Sequence, residues 1–99
     1  MPLLEISVVP VGTNTASFSS HVSDAVRLIK QRGLKYQITP TATVIEGNLD
    51  QLMEVAKEIH QKAIANGVNR AITNITIDDR TDKKLDMNQQ VQIVQQSLH

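Results

Sequence analysis

The sequence predicts an α+β fold, a four-stranded antiparallel sheet with two helices on one face and an extra C-terminal helix. Three observations carry this. Segments of period two and period 3.6 follow one another as β-α-β-β-α-β and then α. Two halves repeat one layout: Gly12 and Gly33 bracket the first long helix, and Gly47 and Gly67 the second. Each helix carries a single apolar stripe, so the helices cover one face of a sheet and leave the other open. Two βαβ halves joined in this way make a split βαβ, or ferredoxin-like, arrangement. At 99 residues the chain is read as one domain, 1–99, burying only roughly 60 to 65% of its unfolded surface.

Leu3 to Val11 reads as a strand with Leu4, Ile6 and Val8 on one face and Glu5, Ser7 and Val9 on the other. Pro10 has no N–H to give a ladder and marks an end or a bulge, and Gly12 to Ala16 supplies a turn. The first helix is expected from about Ser17 to Arg32, with Phe18, Val22, Ala25, Val26 and Ile29 as its stripe and Thr15, Ser17 or Ser19 as its cap. Lys35 to Thr39 and Ala42 to Glu46 are short strands separated by Pro40. Asn48 followed by Gln51 forms a capping-box signature for a second helix from Leu49 to about Asn66, with Leu52, Val55, Ala56, Ile59 and Ala63 inward and Asn66-Gly67 as its stop. Arg70 to Asp78 is the fourth strand. Asp86 with Gln89 then caps a last helix whose stripe is Met87, Val91, Val94 and Leu98.

Composition excludes several classes of function. Ten Lys+Arg balance ten Asp+Glu, so no basic field attracts nucleic acid or an anionic membrane. The chain has no cysteine, which removes disulfides, thiolate metal sites and thiol catalysis. Neither a signal-peptide pattern nor an apolar run of membrane-spanning length is present, and the expected location is the cytoplasm. His21, His60 and His99 share no metal-ligand spacing and are expected on helix sides or at the surface, so no metal is inferred.

The junction at Thr41 to Asn48 is the first candidate site. A strand runs straight into a helix there, and Gly47, which removes the Cβ and permits positive φ, delivers the Glu46 carboxylate beside a helix N-terminus. On the open face, alternation gathers Glu5, Ser7, Val9, Gln37, Thr39, Val44, Glu46, Ile72, Asn74 and Thr76. Such a mixture of β-branched and uncharged polar residues suits packing against another sheet. A homodimer or homotetramer is therefore expected, built through this face and the C-terminal helix.

Four stretches carry a family resemblance: E-I-S-V-V-P-V-G at 5–12, G-L-K-Y-Q-I-T at 33–39, T-V-I-E-G at 43–47 and N-R-A-I-T-N-I-T-I-D-D-R-T-D-K at 69–83. Their order and spacing resemble the small thiamine-binding protein family, the YkoF-like ferredoxin-fold proteins, over nearly the whole chain. The resemblance implies a homo-oligomeric, non-catalytic protein that binds thiamine or its aminopyrimidine as ligand and needs no cofactor. It places Ser7, Thr43, Glu46, Arg70 and Arg80 on motif positions, while Thr41-Ala42 and Asn74 depart from the pattern.

Thiamine's cationic thiazolium calls for a carboxylate or π-face, and its aminopyrimidine for paired donors and acceptors. Glu46 and Glu5 offer the charge, with Asn74, Gln37, Thr43 and Ser7 as neutral partners. The candidate ligand residues are thus Ser7, Thr43, Glu46, Arg70 and Asn74. Phe18 and Tyr36 are the only aromatics and fall on apolar faces, so no aromatic cage is expected. Three alternatives use the same fold. An acylphosphatase-like hydrolase needs an arginine in a phosphate cradle, which Gly12-Thr13-Asn14-Thr15 does not supply; an RNA-binding sheet needs stacking aromatics and positive charge. A structural or regulatory oligomerisation module is the third.

Overall fold

The computed structural model describes residues 1–11, 18–82 and 86–98, with the backbone alone at Phe18 and Ser19. The turn at Gly12 to Ala16, the cap of the first helix, the side chain of Phe18, and Lys83 and His99 lie outside the described residues. The elements are β1 (Leu3–Val11), α1 (Phe18–Gln31), β2 (Lys35–Ile38), β3 (Thr43–Glu46), α2 (Leu49–Ala65), β4 (Arg70–Asp78) and α3 (Met87–Ser97). The strands form one antiparallel sheet in the order β2-β3-β1-β4. This is the ferredoxin-like topology, and β1 is its long central strand.

Pro10 neither ends nor interrupts β1. It lies opposite Ala71 of β4, beyond Leu3 to Ile6 where β3 pairs with β1, so its missing N–H leaves no position of the β3 ladder empty. Helix α1 packs on β1 and β2, and α2 on β1 and β4. Their inward stripes meet Leu4, Ile6 and Ile45 in a core that includes Ile29, Leu52, Val55 and Ile59, with Leu28, Leu34 and Tyr36 packed around it. The buried set of α2 is Leu52, Val55, Ala56, Ile59 and Ala63, as its periodicity predicts. On α1 the inward line is His21, Ala25 and Ile29, while Val22 and Val26 flank it half-buried.

The caps form as the spacing predicts. Asn48 Oδ1 accepts the Gln51 N–H at 2.9 Å, and Asp86 Oδ1 accepts the Gln89 N–H at 2.9 Å. Gly47 does not use the positive φ that glycine permits, which occurs at Gly33 and Gly67 instead, and the absence of its Cβ is what counts. Its requirement is for space: a Cβ there would stand 2.9 Å from Leu34 Cδ2, in a buried position between strand and helix. Helix α3 stands apart. Only Met87 of its stripe is buried, while Val91, Val94 and Leu98 are exposed. The radius of gyration, 14.6 Å, exceeds the roughly 13 Å of a compact chain this long.

Candidate functional site

The site begins with a mismatch of strand lengths. Strand β1 runs on to Val11 beside β4, but β3 accompanies it only from Leu3 to Ile6. Past Ile6 and Thr43 the sheet therefore parts, and a pocket opens between β1, the β2–β3 connection and α1. Its enclosed space is small, about 40 Å³, room for a few waters and well under the roughly 300 to 1,000 Å³ of a drug-sized ligand pocket, and it widens into an open mouth. Its walls are mainly aliphatic, from Ile6, Val8, Ala25, Ile38 and Ile59, with His21, Thr39, Thr41 and Thr43 as polar members.

Two of these polar groups differ in availability. Thr39 Oγ1 is committed to the turn: it donates to the Ala42 carbonyl at 2.9 Å and accepts the Ala42 N–H at 3.1 Å. His21 is buried at 7% exposure, and its Nε2 has no hydrogen-bond partner among the described residues. An unpartnered polar atom buried in an apolar wall carries a free-energy penalty of roughly 1 to 3 kcal/mol that a ligand atom can relieve. An imidazole nitrogen donates or accepts according to its tautomer, so it suits either an amino group or a ring nitrogen of a heterocycle.

The predicted ligand residues do not converge in one protomer. Thr43 lies opposite Ile6 in the register and is buried on the helix side, where it lines the pocket, rather than on or beside the open face. Ser7 and Asn74 are opposite each other on the open face, and Ser7 also borders the pocket. Glu46 pairs across the sheet with Leu3 and Lys35, and Arg70 with Val11. The rows of Leu3, Ser7 and Val11 are each separated by roughly 13 Å at a strand rise of about 3.3 Å per residue. Glu46 borders a different, shallow hollow with Lys35 and Arg32. Arg32 is engaged by Glu58. Neighbouring Lys35 makes Glu46 a poorer anchor for a quaternary cation than an isolated carboxylate.

Arg80, one of the motif residues, binds Asp82 two residues away through Nε and NH2, at 2.9 and 2.6 Å. This contact, with Asp78 nearby, raises its pKa above the ordinary arginine value. His60 is half-buried, its Nδ1 2.7 Å from Thr73 Oγ1. Sequence reasoning missed His21, although a signal was present: it stands four residues before Ala25 and eight before Ile29, in the inward line of α1. Among the described residues no cluster of carboxylates and histidines could hold a metal, and no helix is long and apolar enough to cross a membrane.

Known proteins are similar to this chain in sequence and in fold. The profile of the family described as thiamine-binding protein matches residues 4–95. A UPF0045 protein of Staphylococcus xylosus, from the glkA 3′ region, is 39% identical, the alignment covering 100% of this chain and 96% of the relative. The UPF0045 protein YqgV of Bacillus subtilis is 36% identical, with 99% and 98% covered. The crystal structure of the hypothetical protein MJ1052 of Methanocaldococcus jannaschii superposes with a TM-score of 0.82 at 29% identity, covering 95% of both chains.

Proposed function

The chain belongs to the thiamine-binding protein family, and on that premise we propose that it binds thiamine through its aminopyrimidine in the His21–Thr43 pocket and releases it unchanged. The observation that carries this reading is the buried His21 Nε2, unpartnered among the described residues and set in an aliphatic pocket. A flat heterocycle with a ring nitrogen and an exocyclic amine can satisfy that atom while its faces meet Ile6, Ile38 and Ile59. None of the described lining residues is a carboxylate, so the thiazolium points out through the mouth, where water solvates its charge.

The same reading makes the protein a carrier or sensor in the cytoplasm, not an enzyme. Acid–base work near neutral pH needs a titratable group within reach of the reacting atoms; His21 is the one titratable side chain among the described lining residues. We also propose a homo-oligomer in which the open face, with Ser7, Glu46, Arg70 and Asn74, and the exposed stripe of α3 are covered by further copies. Titration calorimetry with thiamine and with the free aminopyrimidine tests the binding. Both are expected to bind wild type, and His21→Leu is expected to weaken both about tenfold, the loss of one buried hydrogen bond. Incubation followed by mass spectrometry is expected to return thiamine intact; turnover proportional to protein concentration would overturn the carrier reading.

A further inference from the structure

Asn66 is followed by Gly67, the one Asn-Gly step in the chain; the other five asparagines precede residues with side chains. This pair closes α2. Asn66 is the C-cap, at φ −80° and ψ 17°, and the chain turns away at Gly67 with φ +82°. Both residues are exposed. The Asn66 N–H donates to the Lys62 carbonyl at 3.2 Å, while the Gly67 N–H has no backbone acceptor among the described residues. A helix end held so lightly opens at low cost.

The Asn66 side chain is engaged elsewhere. Its Nδ2 donates to Asp24 Oδ2 of α1 at 2.9 Å, and Asp24 Oδ1 accepts from Arg27 NH1 at 2.9 Å. The contact joins residues 42 positions apart and ties the end of α2 to the first half of α1. Asp24 stands three residues after His21 and next to Ala25, both of which wall the pocket.

We propose that Asn66 is a self-modifying site, deamidated through attack by the Gly67 nitrogen, and that its product opens the clasp between α1 and α2. When the cap opens, ψ of Asn66 leaves its helical value and the Gly67 nitrogen reaches Asn66 Cγ. The N–Cγ bond forms, the Cγ–Nδ2 bond breaks, and ammonia leaves with the Gly67 proton. Water then opens the five-membered imide at either carbonyl, to aspartate or isoaspartate. Gly67 favours ring closure, because no side chain shields its nitrogen and nothing beyond its chain neighbours lies within 4 Å of where a Cβ would stand. Asp24 restrains the reaction while the clasp is shut, since the amide must leave Oδ2 before Cγ can turn toward Gly67. Once the amide is gone, Asp24 has the opposite effect. The product has a carboxylate where the N–H donor was, so two acceptors of like charge face each other and repel. The part of α1 that carries His21 thereby loses its tie to α2.

Peptide mapping by mass spectrometry, on protein held in mildly alkaline buffer, tests the chemistry. Amide is expected to give way to carboxyl first at Asn66, with isoaspartate detected there by an isoaspartate methyltransferase. Asp24→Ala is expected to speed the reaction about fivefold, by releasing one hydrogen bond that restrains the amide. Arg27→Ala leaves that bond in place and is expected to change the rate by less than about twofold. Reaction at another asparagine before Asn66, an Asp24→Ala rate equal to wild type, or equal acceleration by both variants overturns the modification. The clasp is tested by Asn66→Asp, expected to lower the thermal midpoint by roughly 4 to 8 °C, the shift for losing one hydrogen bond in a chain of this size. Adding Asp24→Asn returns a donor opposite the new carboxylate and is expected to restore most of the midpoint. Both variants carry an acid at the helix C-terminus, so the recovery reports the contact alone. A double variant no more stable than Asn66→Asp overturns the clasp.

Discussion

Thr43 and Glu46 stand three residues apart on one short strand, yet they belong to different chemical environments. Thr43 faces α1 and a pocket with aliphatic walls; Glu46 faces the open side beside Lys35. The same alternation divides Ile45, fully buried, from Val44, half-buried on the open face. One face of this sheet is covered by α1 and α2 and encloses a small cavity with aliphatic walls. The other carries no helix, and Glu46, the Ser7–Asn74 pair and Arg70 lie in separate rows along it. Concavity comes from the helices and from the early departure of β3, and a sheet face alone does not provide it.

Truncating the two neighbours measures this difference most strongly. Ile45→Ala is expected to lower the stability by about 2 to 5 kcal/mol in urea titration, through lost burial and a residual cavity. Val44→Ala is expected to lose less than about 1.5 kcal/mol at low protein concentration. A larger loss that grows with protein concentration would show that a second copy completes the open face.

Ligand affinity separates the two sides next. His21→Leu is expected to weaken thiamine binding about tenfold, whereas Glu46→Gln is expected to leave it within about twofold by calorimetry. If the order reverses, the ligand sits on the open face and the helix-side pocket is only a packing defect.

A smaller effect tests the strand-to-helix junction between the two sides. Asn48→Ala removes the cap of α2 and is expected to reduce stability by about 1 kcal/mol without changing the ligand's affinity. The smallest concerns the Arg32–Glu58 pair beside the Glu46 hollow. Both partners are partly exposed, so Glu58→Gln is expected to lose less than about 1 kcal/mol, a loss that shrinks further in high salt.

Much of the fold was legible because it is written in local periodicity. The stripe Leu52, Val55, Ala56, Ile59 and Ala63 follows from helical geometry, and the division of Leu4, Ile6 and Val8 from Glu5, Ser7 and Val9 follows from the pleat. The caps Asn48 and Asp86 were equally readable, since a cap needs only residues three positions apart. The open-face grouping came through for the same reason except at Thr39, which lies past the end of β2, bonds the turn at Ala42 and lines the helix-side pocket.

The site was less legible, because a pocket is a relation between elements. Gly47 was legible as a position without a Cβ that could take positive φ, but why the Cβ is absent, the nearness of Leu34, is decided only by packing. His21 follows the inward line of α1 in sequence, but its unpartnered nitrogen among the described residues depends on what the opposite wall offers. Thr43 was assigned correctly to a strand and placed beside the wrong face, since the open-face neighbours Val44 and Glu46 drew it toward them. The sequence by itself determined the order of elements, their amphipathic faces and their caps, all set by interactions within a few residues. The tertiary structure alone decided where β3 leaves β1, which polar atom was left buried and unpaired, and that β4 is an open edge, because each depends on residues far apart in the chain.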